Sequence, residues 1–362
     1  MIMDRLAYPP ARAVSTTVAE HFRHHVRLAG IDADIPDAAT IEKIIDAAFW
    51  ASLRKEEGRA PTISLAYLPR ESAGTALYVE RPLPLDPATL TKLAPAVERP
   101  GIHLGIWPNG NGLAVWGATR SIPPLCFVLE VIEPGLLVIK HRRADPDGKF
   151  ANVAVLEGEQ VKIVDAEGTL ESSCPDFVAT LLGFGNSEDV LLPLALSMRA
   201  HKHGGSLLVV PHDSQSWRRS TVSVPYAVAP PFSKLGDLIR SGTHDETFKN
   251  AIDAIGGLTA VDGAVVLSDR WDVLAFGAKI GRTELGPFVE EVLVREPIRG
   301  HTPIKIAASE LGGTRHLSAA QFVHEQRDSL ALVASQDGRF TVFGWSQRAG
   351  LVHAYRVEAL LL

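Results

Sequence analysis

Cysteine is nearly absent from this sequence: Cys126 and Cys174 are the only two in 362 residues. Two thiols cannot build a disulfide framework or a Cys-rich zinc site, and their scarcity favours a reducing compartment. An excess of basic charge is also lacking. Lys and Arg number 36 against 42 Asp and Glu, a net charge of −6. A duplex-binding domain normally carries a basic stripe, so no nucleic-acid partner is expected. Long apolar runs are missing too. The longest nearly unbroken one, 190–198, is interrupted by Pro193 and falls far short of the ~20 residues a membrane helix needs. No apolar core precedes a small-residue cleavage site at the N-terminus. The expectation is a soluble, cytoplasmic chain with no membrane partner.

Several common chemical signatures are absent as well. The one Gly-Lys pair, Gly148-Lys149, is followed by Phe150, so no GxxxxGK[ST] phosphate loop exists, and there is no GxSxG nucleophile elbow. Gly183-Phe184-Gly185 begins like a dinucleotide loop, but Glu188 stands where the third glycine belongs. His21, His24 and His25 share a helical face at i, i+3 and i+4. With no acidic partner in view, that face reads as solvated.

What is present divides into two regions. Residues 11–57 carry helical spacing in Ala19, Phe22, Val26 and Leu28, then in Ile41, Ile44, Ile45, Ala48 and Phe49, with Asp37 placed to cap the second helix. From 61 the period shortens. Strands are expected at 62–67, 75–79, 102–107, 113–116, 126–132, 135–140, 151–156 and 160–165, with Asn109-Gly110-Asn111-Gly112 as a hairpin turn. Residues 1–168 thus read as an α+β domain dominated by an antiparallel meander.

Residues 169–362 alternate helices with apolar strands, which predicts a mixed-sheet α/β domain. Helical positions are Phe177, Leu181 and Leu182, the run 191–198, the stripe Phe232, Leu235, Leu238 and Ile239, the stripe Phe248, Ile252, Ile255 and Leu258, and a segment after 316. Strands are expected at 206–210, 264–267, 273–276, 331–334 and 340–345. His201-Lys202-His203-Gly204-Gly205 reads as a helix C-terminus, with imidazoles at the negative end of the dipole and glycines turning the chain.

Two segments carry chemistry. In Asp262-Gly263-Ala264, a carboxylate is held at the edge of a buried strand, and the glycine lets a ligand approach the backbone. In Gly312-Gly313-Thr314-Arg315-His316, glycines, a hydroxyl, a guanidinium and an imidazole open a helix. That combination suits phosphate, because helix-start N–H groups and the dipole attract anions and Arg offers paired donors. The plainer alternatives are an ordinary turn and a helix capped by Thr314.

Together the two segments resemble the catalytic domain of bacterial diadenylate cyclases, over roughly 196–362. That family carries Asp-Gly-Ala before a strand and a Gly-Thr-Arg-His-Arg run opening a later helix. Asp262-Gly263-Ala264 and Gly313-Thr314-Arg315-His316 match, Ala319-Ala320 fall near small family positions, and Gly277-Ala278 sit at another. Residues 328–338, through Ser335 and Gly338, track the family's next hairpin. The segment 203–211 resembles the start of such domains where they follow a sensor-like region, which makes 1–168 a sensor-like domain. Two positions depart from the family. Its second arginine is Leu317 here, and its Ser-Glu-Glu is Ser335-Gln336-Asp337.

The resemblance implies condensation of two ATP into cyclic di-AMP with release of pyrophosphate, supported by Mg²⁺ or Mn²⁺. It makes Asp262 the catalytic residue and a metal ligand, with Asp337 as the second metal ligand. It gives substrate binding to Gly263, Ala264, Gly277, Gly313, Thr314, Arg315 and His316. Because one subunit holds one nucleotide, it also implies a face-to-face homodimer. Leu317 and Gln336 leave a second reading open, a module that binds ATP or cyclic di-AMP without catalysis. A third is a plain structural α/β protein.

Overall fold

The computed structural model describes residues 7–110, 112–144, 150–165, 190–243, 245–283 and 286–362. The chain forms two compact units, Met1–Val164 with Leu362 and Asp165–Leu361. The domain boundary expected at 168 lies outside the described residues, as do Phe177, Leu181, Leu182 and the Gly183-Phe184-Gly185 segment. Among the described residues, no helix is long and apolar enough to cross a membrane. The fold is α/β, with a mixed sheet in each unit.

The N-terminal unit contains helices α1 (Pro9–Ala29), α2 (Ala38–Ser52) and α3 (Pro87–Leu93). Its strands are β1 (Ile63–Tyr67), β2 (Ala76–Pro84), β3 (His103–Asn109), β4 (Gly112–Thr119), β5 (Phe127–Glu133), β6 (Leu136–Arg142), β7 (Phe150–Glu157) and β8 (Gln160–Ile163). They run in the order β2-β4-β3-β1-β5-β6-β7-β8. The expected meander exists from β5 to β8, all antiparallel. The β1–β3 pair is parallel, however, because the chain crosses over through β2 and α3 before returning. Asp37 caps α2 as expected, its carboxylate accepting the Thr40 N–H at 2.8 Å. Val14, Val18 and Phe22 of α1 and Ile41, Ile44 and Ile45 of α2 share one core with Leu65, Phe127, Leu129 and Ile139 of the sheet.

The C-terminal unit contains α4 (Leu191–Ala200), β9 (Gly205–Val210), β10 (Thr221–Ser223), β11 (Tyr226–Phe232), α5 (Lys234–Arg240), α6 (Glu246–Leu258), β12 (Ala264–Ser268) and β13 (Val273–Ile280). These are followed by β14 (Glu291–Arg295), β15 (Ile304–Ala307), α7 (Thr314–Glu325), β16 (Leu330–Ala334), β17 (Phe340–Ser346) and β18 (Leu351–Arg356). Strand order is β10-β13-β12-β9-β16-β17-β18-β14-β15, with β11 also paired to β13. The β9–β12 and β14–β18 pairs are parallel and the others antiparallel. Side chains alternate across this sheet. Leu207, Val209, Val265 and Leu267 pack with α4, α5 and α6, while Leu208, Val210 and Val266 pack with α7. Coverage on both faces explains why β9 and β12 read as continuous apolar runs, each buried along its whole length. Phe232 departs from the expected helical stripe: it ends β11, is 48% exposed, and α5 begins two residues later.

Two local features fix the ends of these elements. Glu325 at the last turn of α7 accepts hydrogen bonds from Ser220 (2.7 Å), Gln321 (2.8 Å) and Thr283, anchoring the helix to two loops. Gly205 starts β9 where a methyl group would lie 2.5 Å from the Thr259 carbonyl oxygen, so α6 and β9 meet at a distance only glycine permits. Gly205→Ala should therefore lower the unfolding free energy by roughly 1–3 kcal/mol, as overpacking of a tight contact does. Denaturant unfolding of the purified chain measures this, and an unchanged midpoint would mean the contact relaxes freely.

Candidate functional site

Strand register gathers the chemistry at one end of the C-terminal sheet. Ala264 pairs with Ser206 across the parallel β9–β12 contact, Ala334 pairs with Gly205, and Thr341 with Arg356. Residues just before β9 (His203, Gly204), just before β12 (Asp262, Gly263), just after β16 (Ser335 to Gly338) and at the end of β18 (Arg356) therefore share that end. β13 adds Gly277 and Lys279, since Ala278 pairs with Ala264.

Glycine keeps this surface low. Gly263 has φ of 120°, and a methyl there would sit 2.4 Å from the Gly277 carbonyl carbon. Gly277 has φ of 68°, and a methyl on it would meet the Tyr226 ring at 2.9 Å. Both positions demand glycine by conformation and by space. Tyr226, stacked on Phe276 with centroids 4.8 Å apart, leaves an exposed aromatic ring beside them.

The two sequence segments meet through charge. Asp262 is 92% exposed and its Oδ2 lies 2.5 Å from the Lys279 Nζ. The hydrogen bond and charge of Lys279 hold the Asp262 carboxyl below its ordinary range, and the charge of Arg315 lowers it further. Arg315, some fifty residues away in sequence, thus acts on the carboxylate of the Asp-Gly-Ala segment. Its guanidinium lies over Gly204, where a methyl would stand 3.1 Å from Nη1 and 3.4 Å from the Gln336 side chain.

Gly313, in extended conformation, is the N-cap of α7, and no side chain caps the helix. Thr314 is the first helical residue, so it does not serve as the cap. The uncapped helix start leaves backbone donors and the positive dipole end to an external anion. His316 is different in kind. Its ring is largely buried, edge-on to Phe343 at 6.1 Å, and beside Gly312. Burial lowers its pKa, Asp337 opposes that, and Arg356, Arg339 and Arg315 reinforce it. The imidazole therefore forms a neutral wall behind the cationic groups.

Ser335 and Arg339 close the tight β16–β17 turn, with Gly338 at φ of 85°. Burial alone would raise the Asp337 carboxyl, but hydrogen bonds from the Ser335 side chain and the Arg339 backbone outweigh it and the net shift is downward. Gln336 Nε2 donates to the His203 carbonyl at 3.3 Å, tying this turn to the start of β9. Leu317 is 40% exposed, so its side chain does not belong to the core.

No group of three or more His, Cys, Asp or Glu ligand atoms gathers around Asp262 or Asp337 among the described residues. Asp262 nevertheless suits a magnesium-type ion. Such an ion takes one or two carboxylates and draws its other ligands from water and phosphate oxygens. Asp337, engaged by Ser335 and Arg339, presents less free oxygen.

Tyr226, Lys279, Arg339 and Arg356 carry no local sequence signal and reach this end through strand pairing and the β16–β17 turn. Arg282 is committed elsewhere, donating to the Gly286 carbonyl and lying over the Phe288 ring at 4.0 Å. His201 is the C-cap of α4, as expected for the end of a helix, and Gly204 turns the chain at φ of 68°. The His201 Nδ1 accepts the His203 N–H and its Nε2 donates to Thr259, an arrangement of neutral imidazole and not of a charged dipole partner.

Residues 31–120 match the family model described as "Probable sensor domain DACNV". A search among curated proteins finds no match. Among solved structures, the chain is similar to an engineered double mutant of DacA from Staphylococcus aureus. Identity is 13%, coverage is 50% of this chain and 89% of that one, and the TM-score is 0.23, too low for the likeness to carry weight.

Proposed function

We propose that the C-terminal unit binds ATP at this end of the sheet and condenses two ATP into cyclic di-AMP, with the N-terminal unit as its regulator. The observation that carries the reading is that the Asp262–Lys279 pair, the Arg315 guanidinium over Gly204 and an uncapped helix start share one end of the sheet. An acid that positions a hydroxyl and a set of donors that hold phosphate are the two needs of phosphoryl transfer. The match of residues 31–120 to a family described as a sensor domain supports the regulatory part.

In this reading Arg315, Lys279 and the backbone donors at Gly313 and Thr314 hold the triphosphate. Gly263 and Gly277 let the nucleotide lie against the backbone, and the exposed ring of Tyr226 offers a face for base stacking. Asp262, kept ionised by Lys279, accepts the hydrogen bond of the 3′-hydroxyl and orients its oxygen. The O3′–Pα bond forms while the Pα–O bond to pyrophosphate breaks, and the hydroxyl proton passes by way of the Asp262 carboxylate to solvent. Two such steps turn two ATP into cyclic di-AMP and two pyrophosphates. Mg²⁺ or Mn²⁺, held by Asp262 and the nucleotide's own phosphates, would neutralise charge developing on the phosphates. Since each unit holds one nucleotide, the active form is a face-to-face homodimer.

Two residues favour a second reading, binding of ATP or cyclic di-AMP without turnover. Leu317 puts an exposed apolar side chain where the related family has a cation, and Gln336 spends its amide on the His203 carbonyl. Dinucleotide formation by the wild type separates the readings, and the role of the carboxylate is tested by Asp262→Asn. The substitution should remove nearly all dinucleotide formation while leaving ATP binding within a few-fold, because the amide is isosteric. Retention of most of the wild-type rate would show that Asp262 is not catalytic. Leu317→Arg should tighten ATP binding by roughly tenfold, the low end of what a charge-assisted hydrogen bond supplies. Isothermal titration measures it. Unchanged affinity in a folded variant would mean that Lys279 already fills the cation's place.

A further inference from the structure

The N-terminal unit brings three histidines together from two elements. His21 and His25 lie one turn apart on α1, and His141 is the penultimate residue of β6. One ligand nitrogen from each can be chosen so that all three lie within 4.8 Å of one another. The rings of His21 and His25 stack at 4.0 Å, and each lies under 6 Å from the His141 ring. The solvated face expected for this stretch of α1 holds for exposed His24 alone; His21 and His25 are half-buried and His141 is buried.

We infer that His21, His25 and His141 form a binding site for a zinc-class divalent cation. Three features carry this. The first is the ligand set itself: three imidazoles with an open fourth position is a recognised zinc arrangement. The second is orientation. His25 Nδ1 donates to the His21 carbonyl at 3.0 Å, and His141 Nδ1 donates to the Arg142 carbonyl at 3.2 Å. A carbonyl can only accept, so in both rings the Nε2 lone pair is left for a metal. A histidine ligand commonly has its second nitrogen held in this way. The third is the setting. Phe22, packed edge-on to His141 at 5.6 Å, and buried Phe127 back the cluster with a rigid apolar floor.

The cost of assembly is modest. Nitrogens around a tetrahedral zinc stand about 3.3 Å apart, given Zn–N bonds near 2.0–2.1 Å. Closing from 4.8 Å takes side-chain adjustment on α1, where both rings are half-exposed. Arg143 places positive charge near His141, which opposes a bare cation. Three neutral ligands leave the ion's charge uncompensated, so the fourth position is suited to hydroxide or another anion. Imidazole-rich sites of this kind take zinc, copper, nickel or cobalt in preference to magnesium or calcium.

The test uses the full-length, untagged chain, stripped by chelation and titrated with Co²⁺, with Zn²⁺ in competition. One Co²⁺ per chain should bind, with the visible bands of a four-coordinate ion, and Zn²⁺ should displace it. His25→Ala and His141→Ala should each weaken binding by more than about tenfold, since even changes behind the ligands cost that much. His24→Ala should leave affinity unchanged. Zn²⁺ should also raise the melting temperature of the wild type and not of His25→Ala. Should His141→Ala fail to fold, the half-exposed His25 variant decides. Absence of stoichiometric Co²⁺ binding would overturn the inference. So would affinity that survives in His25→Ala, or that falls in His24→Ala while persisting in His141→Ala, which would indicate a surface site on the helix alone.

Discussion

Parallel pairing of β9 with β12 is the constraint on which the C-terminal unit depends. The register Ala264 to Ser206 places the loops that enter both strands side by side. β16, antiparallel to β9, must then deliver its outgoing turn to the same end, and β18 delivers Arg356 there through β17. A shift of one residue would swap which side chains face α7 and which face α4 and α6, mismatching the close packing on both covered faces. Burial of Leu207 to Val210 on alternating faces therefore locks the register. The register in turn places Asp262 and Gly204, over which the Arg315 guanidinium lies, at the same end.

Charge at that end is unequal. Lys279, Arg315, Arg339 and Arg356 act on Asp262, His316 and Asp337, and each carboxyl is held below its ordinary value. A surface with more cations than acids, an uncapped helix start and glycines that admit no side chain suits a polyanion with a planar group. Burial of His316 keeps a further positive charge from adding to the set, so the cations open to a ligand are the solvent-facing Lys279, Arg315 and Arg339. These are properties of the site itself and do not rest on likeness to any other protein.

Much of this was legible in the sequence. The strands β9 and β12 announced themselves as unbroken apolar runs because both faces are covered, and the Asn-Gly turn fixed β3 against β4. Asp262 and Thr314 to His316 stood out because glycine, carboxylate and guanidinium cluster there. What escaped was set by distance along the chain. Arg356 reaches the site only through strand pairing, and Tyr226 follows from its contact with Gly277, neither of which leaves a local pattern. The parallel β1–β3 pair escaped for the same reason, since a crossover through β2 and α3 looks locally like a meander. His21 and His25 were misjudged because their partner, His141, lies on a strand more than a hundred residues away.

The end of the sheet that holds Asp262 and Arg315 is proposed to join two nucleotides across two copies of the chain. The most direct measurement is mass spectrometry of the products formed by the purified chain from ATP with Mg²⁺ or Mn²⁺, over a wide dilution series. Cyclic di-AMP is the expected product, with a rate per chain that rises with protein concentration until the dimer saturates. Constant specific activity from a stable monomer would contradict the face-to-face arrangement. A chain that neither binds ATP nor releases any dinucleotide at any concentration would contradict the site itself.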